Sequence, residues 1–192
     1  MIYLLGGTAR TGKSILAHRL NQEHGLPVIS TDLLRGVLVK VDPGLKSAME
    51  AGDLEVEADV FYPHLRQAIA CTRIQLSNAL IEGVGFFPRH VVQIQHELDI
   101  QVRCCFVGRS SATPKDLFGH ATDHRFYDGL DSSRQAGVAK AVVDWSTRLE
   151  LECKRYALPF VDFAGASFPE SLQAVELALL AATAGGSSDS AE

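Results

Sequence analysis

The stretch that decides the fold is Gly7-Thr8-Ala9-Arg10-Thr11-Gly12-Lys13-Ser14, near the start of the chain. It follows the pattern G-x-x-x-x-G-K-[ST] without a deviation. The glycines let the backbone wrap closely, so that successive N–H groups can point at phosphate oxygens. Lys13 can then reach the terminal phosphates, and the Ser14 hydroxyl is a ligand for Mg²⁺. We therefore predict that residues 7–14 bind the phosphates of ATP or GTP.

The sequence on either side of this phosphate-binding loop, or P-loop, supports the same interpretation. The apolar run Ile2–Leu5 precedes it and predicts a first strand rather than a signal peptide, because no basic leader accompanies it. Ile15, Leu16 and Leu20 follow at helical spacing. The N-terminal end of such a helix attracts anions, so a strand, a loop and a helix would surround the phosphates.

The composition is typical of one globular domain. Of 192 residues, 46% are hydrophobic and 21% are charged, and we expect one domain over residues 1–184 with a disordered tail over 185–192. The net charge of −5 disfavours a nucleic-acid partner. The absence of an apolar run near the roughly 20 residues that span a bilayer disfavours a membrane partner. Four cysteines without a CxxC pair favour a cytoplasmic location. The oligomeric state stays open.

Short apolar runs alternate with longer helical patterns, which predicts an α/β fold of three layers, a parallel sheet with helices on both faces. A long insertion over residues 33–78 includes a predicted helix from Val56 to Leu76, and a second helix is predicted over 135–156. The polar segment 108–134 is a candidate lid. The apolar positions of the helix predicted from Val56 to Leu76 are Val60, Phe61, Leu65, Ile69 and Ile74. The five predicted strands are Ile2–Leu5, Pro27–Ser30, Ala79–Glu82, Gln101–Val107 and Pro159–Phe163.

Charged residues follow the second predicted strand. We expect this strand beside the P-loop strand, so that Asp32 faces the terminal phosphate, either as a base or as a holder of water on Mg²⁺. Arg35, one turn later, is a candidate clamp for an anionic substrate. The alternative is that Thr31 or Asp32 only caps the next helix and that Arg35 is solvated.

The third predicted strand ends in Glu82, and an apolar run that ends in an acid is similar to a Walker B motif. Glu82 could orient a metal-bound water or act as an alternative base, or it could be a strand-end carboxylate satisfied by a neighbouring group. Arg89 is a second candidate anion clamp, or an ordinary surface arginine. His120 and His124 have metal-ligand spacing on a helix, but no second pair of ligands accompanies them.

Together these motifs resemble the small P-loop kinases of the nucleoside-monophosphate-kinase type, and within them the 2-phosphoglycerate-kinase-like branch. The P-loop, Ser30–Arg35 and Ile81–Val84 carry the resemblance, with weaker support from Trp145–Phe163. Residues 85–89 are similar to the substrate-binding arginine loop of adenylate kinases. The resemblance implies a P-loop NTPase fold with a small lid, and phosphoryl transfer that uses ATP and Mg²⁺.

The resemblance also implies roles for individual residues. Lys13, Asp32 and a lid arginine would be catalytic, while Asp32, Arg35, Glu82 and Arg89 would contact the substrate. The lid arginine would neutralise charge that develops during transfer. The basic residues of the lid segment are Arg109, Lys115, Arg125 and Arg134, of which we single out Arg125.

The expected function is therefore that of an ATP- and Mg²⁺-dependent kinase acting on a small anionic metabolite, such as a phosphorylated hydroxy acid. One alternative is an ATP-binding regulatory protein that acts through a partner protein. Another is a kinase that modifies an antibiotic, a nucleotide or a nucleotide-sugar. The sequence has no Asn-Lys-x-Asp motif, which argues against selectivity for guanine.

Overall fold

A computed structural model describes residues 1–119 and 129–181. Arg125, the histidine pair His120 and His124, and the expected tail lie outside these residues. The described chain forms a five-stranded parallel sheet in the order β2-β3-β1-β4-β5. The strands are β1 (Ile2–Gly7), β2 (Val28–Ser30), β3 (Ala79–Gly83), β4 (Val102–Gly108) and β5 (Phe160–Asp162).

The position of β2 differs from the expectation. β1 pairs with β3 and β4, whereas β2 pairs with β3 at the outer edge of the sheet. The strand beside the P-loop strand is thus the one that ends near Glu82, and not the one that precedes Asp32. Three residues of length and an exposed Val28 are typical of an edge strand.

Eight helices are described, and five of them cover the two faces of the sheet. Leu4 and Leu5 are neighbours on β1, and because side chains alternate along a strand they enter different cores. Helices α4, α5 and α7 bury the face that holds Leu4, and α1 and α8 bury the face that holds Leu5. The helices are α1 (Lys13–His24), α2 (Thr31–Leu38), α3 (Pro43–Ala51), α4 (Leu54–Gln75), α5 (Pro88–Leu98), α6 (Pro114–Phe118), α7 (Ser132–Tyr156) and α8 (Phe168–Leu180).

Two apolar residues that were expected on the buried face of a helix are exposed. In α1, Leu16 and Leu20 are buried, but Ile15 is exposed. In α4, Phe61, Leu65 and Ile69 are buried at intervals of four residues, and Ile74 is exposed. An apolar residue in a helix therefore identifies the buried face only when its neighbours at i±4 share that face.

The long insertion is more helical than expected, because α2 and α3 precede the predicted long helix. Asp42 and Asp53 begin α3 and α4, and the carboxylate of each accepts two backbone N–H bonds. Among the described helices, none is both long and apolar enough to cross a bilayer.

Candidate functional site

The P-loop joins β1 to α1, at the edge where the parallel strands end. Gly7 and Gly12 have positive φ, 142° and 75°, which glycine adopts without a steric penalty. A Cβ at Gly12 would lie 2.6 Å from the Phe168 ring, so a side chain there would have to displace the ring as well as adopt a positive φ. Arg10 also has a positive φ, 63°. The two glycines of the motif are thus required by the backbone path, which fits a loop that wraps around phosphate.

The side chain of Lys13 folds back onto the P-loop. Its Nζ donates to the Thr8 carbonyl oxygen at 2.6 Å, and its side chain is buried. Burial lowers the pKa of Lys13, while the charges of Glu82 and Asp32 oppose this effect. The ammonium is therefore held by the P-loop backbone, under the charge of two carboxylates that the sequence singled out.

Ser14 and Glu82 face the same cavity beside the P-loop. Its volume is about 320 Å³. Ser14 is exposed at the start of α1, whereas Glu82 is buried at the end of β3. A hydroxyl and a carboxylate are oxygen ligands of the kind that Mg²⁺ prefers, so the residues present fit a hydrated Mg²⁺ ion next to bound phosphates. The cavity is lined by Ser14, Ala17, His18, Asn21, Val28 and Glu82.

Asp32 reaches the site from the edge strand through α2. Ser30 caps this helix, since its hydroxyl accepts from the Leu33 N–H at 3.4 Å, and the alternative that Thr31 or Asp32 is the cap is wrong. Asp32 Oδ1 accepts from the Val84 N–H at 3.4 Å and from Arg35 at 3.3 Å. Both contacts are to one oxygen, and 54% of the side chain is exposed. The carboxylate therefore stays open to a further ligand.

Glycine at position 83 brings α2 and β3 together. Gly83 has φ 148°, and a Cβ there would lie 1.9 Å from Thr31 Oγ1 and 3.2 Å from Asp32 Oδ1. A side chain at this position would push the first turn of α2 away from the strand ends. The contact of α2 with Gly83 thus compensates for the outer position of β2.

Arg35 is not a solvated residue. Its guanidinium contacts Asp32 and forms an ion pair with Glu57 of α4, and only 10% of the Arg35 side chain is exposed. Burial lowers the pKa of Arg35, and the Asp32 charge opposes this effect. Its aliphatic part fills the space over Gly85, where a Cβ would lie 2.7 Å from Arg35 Cδ.

Arg89 belongs to a second charged cluster. Its guanidinium donates to Asp59 at 2.7 Å, contacts Glu152 at 3.4 Å and stacks 4.5 Å from the centre of the Phe87 ring. His90, the next residue, is buried and contacts Asp59 through Nε2 at 2.9 Å. The two predicted anion clamps are therefore held by different carboxylates, Arg35 by those of α2 and α4 and Arg89 by those of α4 and α7.

Described residues of the predicted lid segment contact both the sheet and the P-loop. The Arg109 N–H donates to Ser146 Oγ at 2.7 Å, directly after β4. Arg134 is exposed at the start of α7. The Arg10 guanidinium of the P-loop lies 5.0 Å from the centre of the Phe118 ring in α6. The lid segment therefore begins in contact with the P-loop.

Sequence reasoning missed two buried polar residues of this region. Ser146 of α7 joins the end of β4 to the P-loop, since its hydroxyl accepts from Arg109 and lies 3.5 Å from Thr8 Oγ1. Glu57 of α4 holds Arg35. A signal for Glu57 was present, because it stands four residues before Phe61 on the buried face of α4. A carboxylate on an apolar face needs a partner.

Comparisons with known proteins agree on the fold. No protein-family model matches the sequence, and no curated protein matches it significantly. Among solved structures, the chain is similar to a gluconokinase from Sinorhizobium meliloti 1021, with a TM-score of 0.56 and 12% identity over 92% of this chain and 90% of that one. It is also similar to a shikimate kinase from Bacteroides thetaiotaomicron, with a TM-score of 0.51 and 13% identity over 90% and 94%.

Fold and loop together agree with this likeness. The five-stranded parallel sheet between helices, with the P-loop between β1 and α1, is an α/β fold that matches the folds of these two kinases. At these identities the likeness extends to the fold alone. The narrower resemblance to the 2-phosphoglycerate-kinase-like branch stays a prediction.

Proposed function

We propose that the protein is an ATP- and Mg²⁺-dependent kinase that phosphorylates a hydroxyl group of a small metabolite in the cytoplasm. The observation that carries this proposal is the Asp32 carboxylate, which follows β2 at the edge of the sheet where the P-loop follows β1, and which keeps 54% of its side chain exposed. A loop that only bound a nucleotide as a switch would not need an exposed carboxylate at this edge of the sheet. A kinase needs such a group to take the proton of the acceptor hydroxyl.

In this proposal each residue has a defined task. Lys13 and the N–H groups of residues 7–14 hold the phosphates, and Ser14 with Glu82 holds the hydrated metal. Bound ATP supplies the phosphoryl group, and Mg²⁺ offsets the negative charge of its phosphates. Asp32 accepts the proton of the acceptor hydroxyl. A lid arginine, for which Arg125 remains the candidate, neutralises charge over the phosphates.

The charge of the acceptor is less directly indicated by the site than the reaction is. Arg35 and Arg89 favour an anionic metabolite such as a phosphorylated hydroxy acid if their guanidiniums are available to it. Their ion pairs with Glu57, Asp59 and Glu152 favour an uncharged acceptor. The named structural neighbours are a gluconokinase and a shikimate kinase, which supports a small metabolite in general.

A coupled assay of ADP release tests the kinase proposal. A panel of sugars, polyols, hydroxy acids, phosphate esters, nucleosides and nucleotides is offered with ATP and Mg²⁺. We expect at least one acceptor to release ADP far faster than in the Lys13→Ala variant. Lys46→Ala, which changes an exposed lysine of α3, is the matched control. If no acceptor raises ADP release above the Lys13→Ala rate, the protein is not a small-molecule kinase.

A regulatory P-loop protein is the alternative from another class. It would bind ATP and ADP with Mg²⁺ and would contact a partner protein differently in the two states. It would also leave the panel unphosphorylated. Calorimetric titration of ATP and ADP into the purified chain, followed by the acceptor panel, separates the two functions.

A further inference from the structure

The surroundings of Arg35 determine which charge the acceptor can carry. The Arg35 guanidinium lies between the carboxylates of Glu57 and Asp32, and only 10% of the arginine side chain and 7% of the Glu57 side chain are exposed. The group of three carries one net negative charge. Most of the guanidinium surface is already covered, so an arriving anion finds little of the arginine and meets two carboxylates.

The other predicted site residues add further carboxylates, and each cation among them is already under their charge. Glu82 is buried at the end of β3, and it acts on Lys13 together with Asp32. Arg89, the other arginine expected to bind an anion, is paired with Asp59 and Glu152. In both clusters the chain supplies two carboxylates for one guanidinium. An acceptor phosphate or carboxylate would have to displace one of them.

We propose that Glu57 is a specificity-determining residue, which neutralises Arg35 so that the cleft beside Asp32 takes an uncharged hydroxyl compound and not an anionic one. This inference rests on the proposed function, because it takes Asp32 as the group that receives the acceptor hydroxyl. Arg35 then acts as a positioning residue for Asp32. The exposed part of Asp32 is what the acceptor meets.

Titration of inorganic phosphate tests the proposal without knowledge of the acceptor. The protein is first saturated with Mg²⁺ and a non-hydrolysable ATP analogue, so that the P-loop is filled. We expect the wild type and a double variant, Arg35→Met with Glu57→Gln, to bind phosphate equally weakly in calorimetry. Glu57→Gln alone keeps the shape of the side chain and releases Arg35. It should bind phosphate about 10- to 100-fold more tightly than the wild type, the gain expected from a charge-assisted hydrogen bond.

The control is Glu55→Gln, two residues earlier in α4. Glu55 is exposed and pairs with Arg148 at 2.8 Å, so this change removes the same charge from the same helix away from Arg35. Phosphate affinity should stay at the wild-type value. Tighter phosphate binding by the wild type than by the double variant would overturn the proposal, and so would an unchanged affinity in folded Glu57→Gln. If Glu57→Gln does not fold, the comparison of phosphate binding between the wild type and the double variant decides.

Acceptor pairs that differ by one charge provide a second readout. Glycerol is compared with glycerate, and glucose with gluconate, under the same ATP and Mg²⁺ concentrations. The wild type should phosphorylate the uncharged member faster, and Glu57→Gln should shift the ratio toward the acid. A wild-type preference for the acids overturns the role of Glu57. Failure of every acceptor to react counts against the kinase proposal, and the phosphate titration still decides the role of Glu57.

Discussion

At the scale of single residues, Lys13 is the test of the nucleotide site. Lys13→Met removes the ammonium and keeps most of the aliphatic volume. Because charge-assisted hydrogen bonds contribute about 1.5–3 kcal/mol, we expect ATP to bind about 10- to 100-fold more weakly, as measured by calorimetry with Mg²⁺ present. Lys46→Met, at an exposed position in α3, should bind ATP like the wild type. An unchanged affinity in Lys13→Met would show that the loop binds nucleotide in some other way.

His90 provides a prediction on pH. Its Nδ1 accepts from the Phe87 N–H at 3.2 Å and its Nε2 contacts Asp59, so the neutral ring with a proton on Nε2 satisfies both contacts. Burial lowers the pKa of His90 below its ordinary value of 6.5, while Asp59 opposes this effect and Arg89 adds to it. The unfolded chain therefore takes up a proton more readily than the folded protein. The stability that His90 contributes is present above pH 6.5 and is lost as the pH falls through the lowered pKa.

His90→Gln removes this proton uptake. Urea unfolding at pH 7.5 and at pH 5.5 should show a smaller loss of stability in the variant than in the wild type. The difference should approach at most about 1.4 kcal/mol per pH unit, the limit for one proton. His96→Gln, in the same helix at an exposed position, controls for the substitution itself. Equal pH dependence in wild type and His90→Gln would mean that His90 takes up a proton as readily in the folded protein as in the unfolded chain.

The individual residues also show what a sequence can predict at this scale. Lys13 and Ser14 could be predicted because they belong to one contiguous motif, in which the path of the backbone determines the position of each residue. Asp32 was predicted from its place after a strand. Glu57 was missed because its partner, Arg35, is on another helix, and a long-range ion pair leaves no spacing in the sequence. What remained visible was only the charge on the apolar face of α4.

At the scale of elements, the packing of α2 on the end of β3 can be tested by two glycine substitutions with opposite effects on the free energy of unfolding. Gly36→Ala, at an open position inside the helix, should raise the free energy of unfolding by about 0.5–1 kcal/mol. Gly83→Ala forces a Cβ against Thr31 Oγ1 at a positive φ, and should lower it by about 2–4 kcal/mol. Chemical denaturation measures both. If Gly83→Ala is as stable as the wild type, α2 is not docked on the end of β3.

The elements themselves were largely predictable. Each of the five predicted strands is confirmed to within two residues at its ends, and α4 begins two residues before its predicted start at Val56. A helix was expected after the second strand without bounds, where α2 lies, and α3 was missed. They are short, and Leu33, Val37 and Val41 expose their side chains, so that hydrophobic periodicity indicates no consistent buried face there.

At the scale of the whole molecule, parallel pairing was predictable, but the strand order was not. Alternation of strands and helices fixes the direction of the strands, because each crossover returns the chain to the same end of the sheet. It does not fix which strands are neighbours. The edge position of β2 is accompanied by an exposed Val28 and by a length of only three residues. Asp32 therefore reaches the P-loop through α2, a route that a sequence pattern cannot reveal.

The last prediction concerns the stability of the whole domain with a bound nucleotide. A ligand that binds only the folded state adds about 2.7 kcal/mol at a concentration 100 times its Kd. For a domain of this size, each 1 kcal/mol raises Tm by about 2–4 °C. Mg²⁺ and ATP at that concentration should therefore raise Tm by about 5–11 °C, as followed by scanning fluorimetry.

Two variants make this measurement specific. Lys13→Met should reduce the shift in Tm at the same ATP concentration, because its affinity is lower, while Lys46→Met should keep the full shift. Glu57→Gln should also keep it, since Glu57 contacts Arg35 and not the P-loop. An undiminished shift in Lys13→Met would place the nucleotide elsewhere. A shift lost in Glu57→Gln would mean that the acceptor side and the P-loop are coupled through the Asp32 carboxylate.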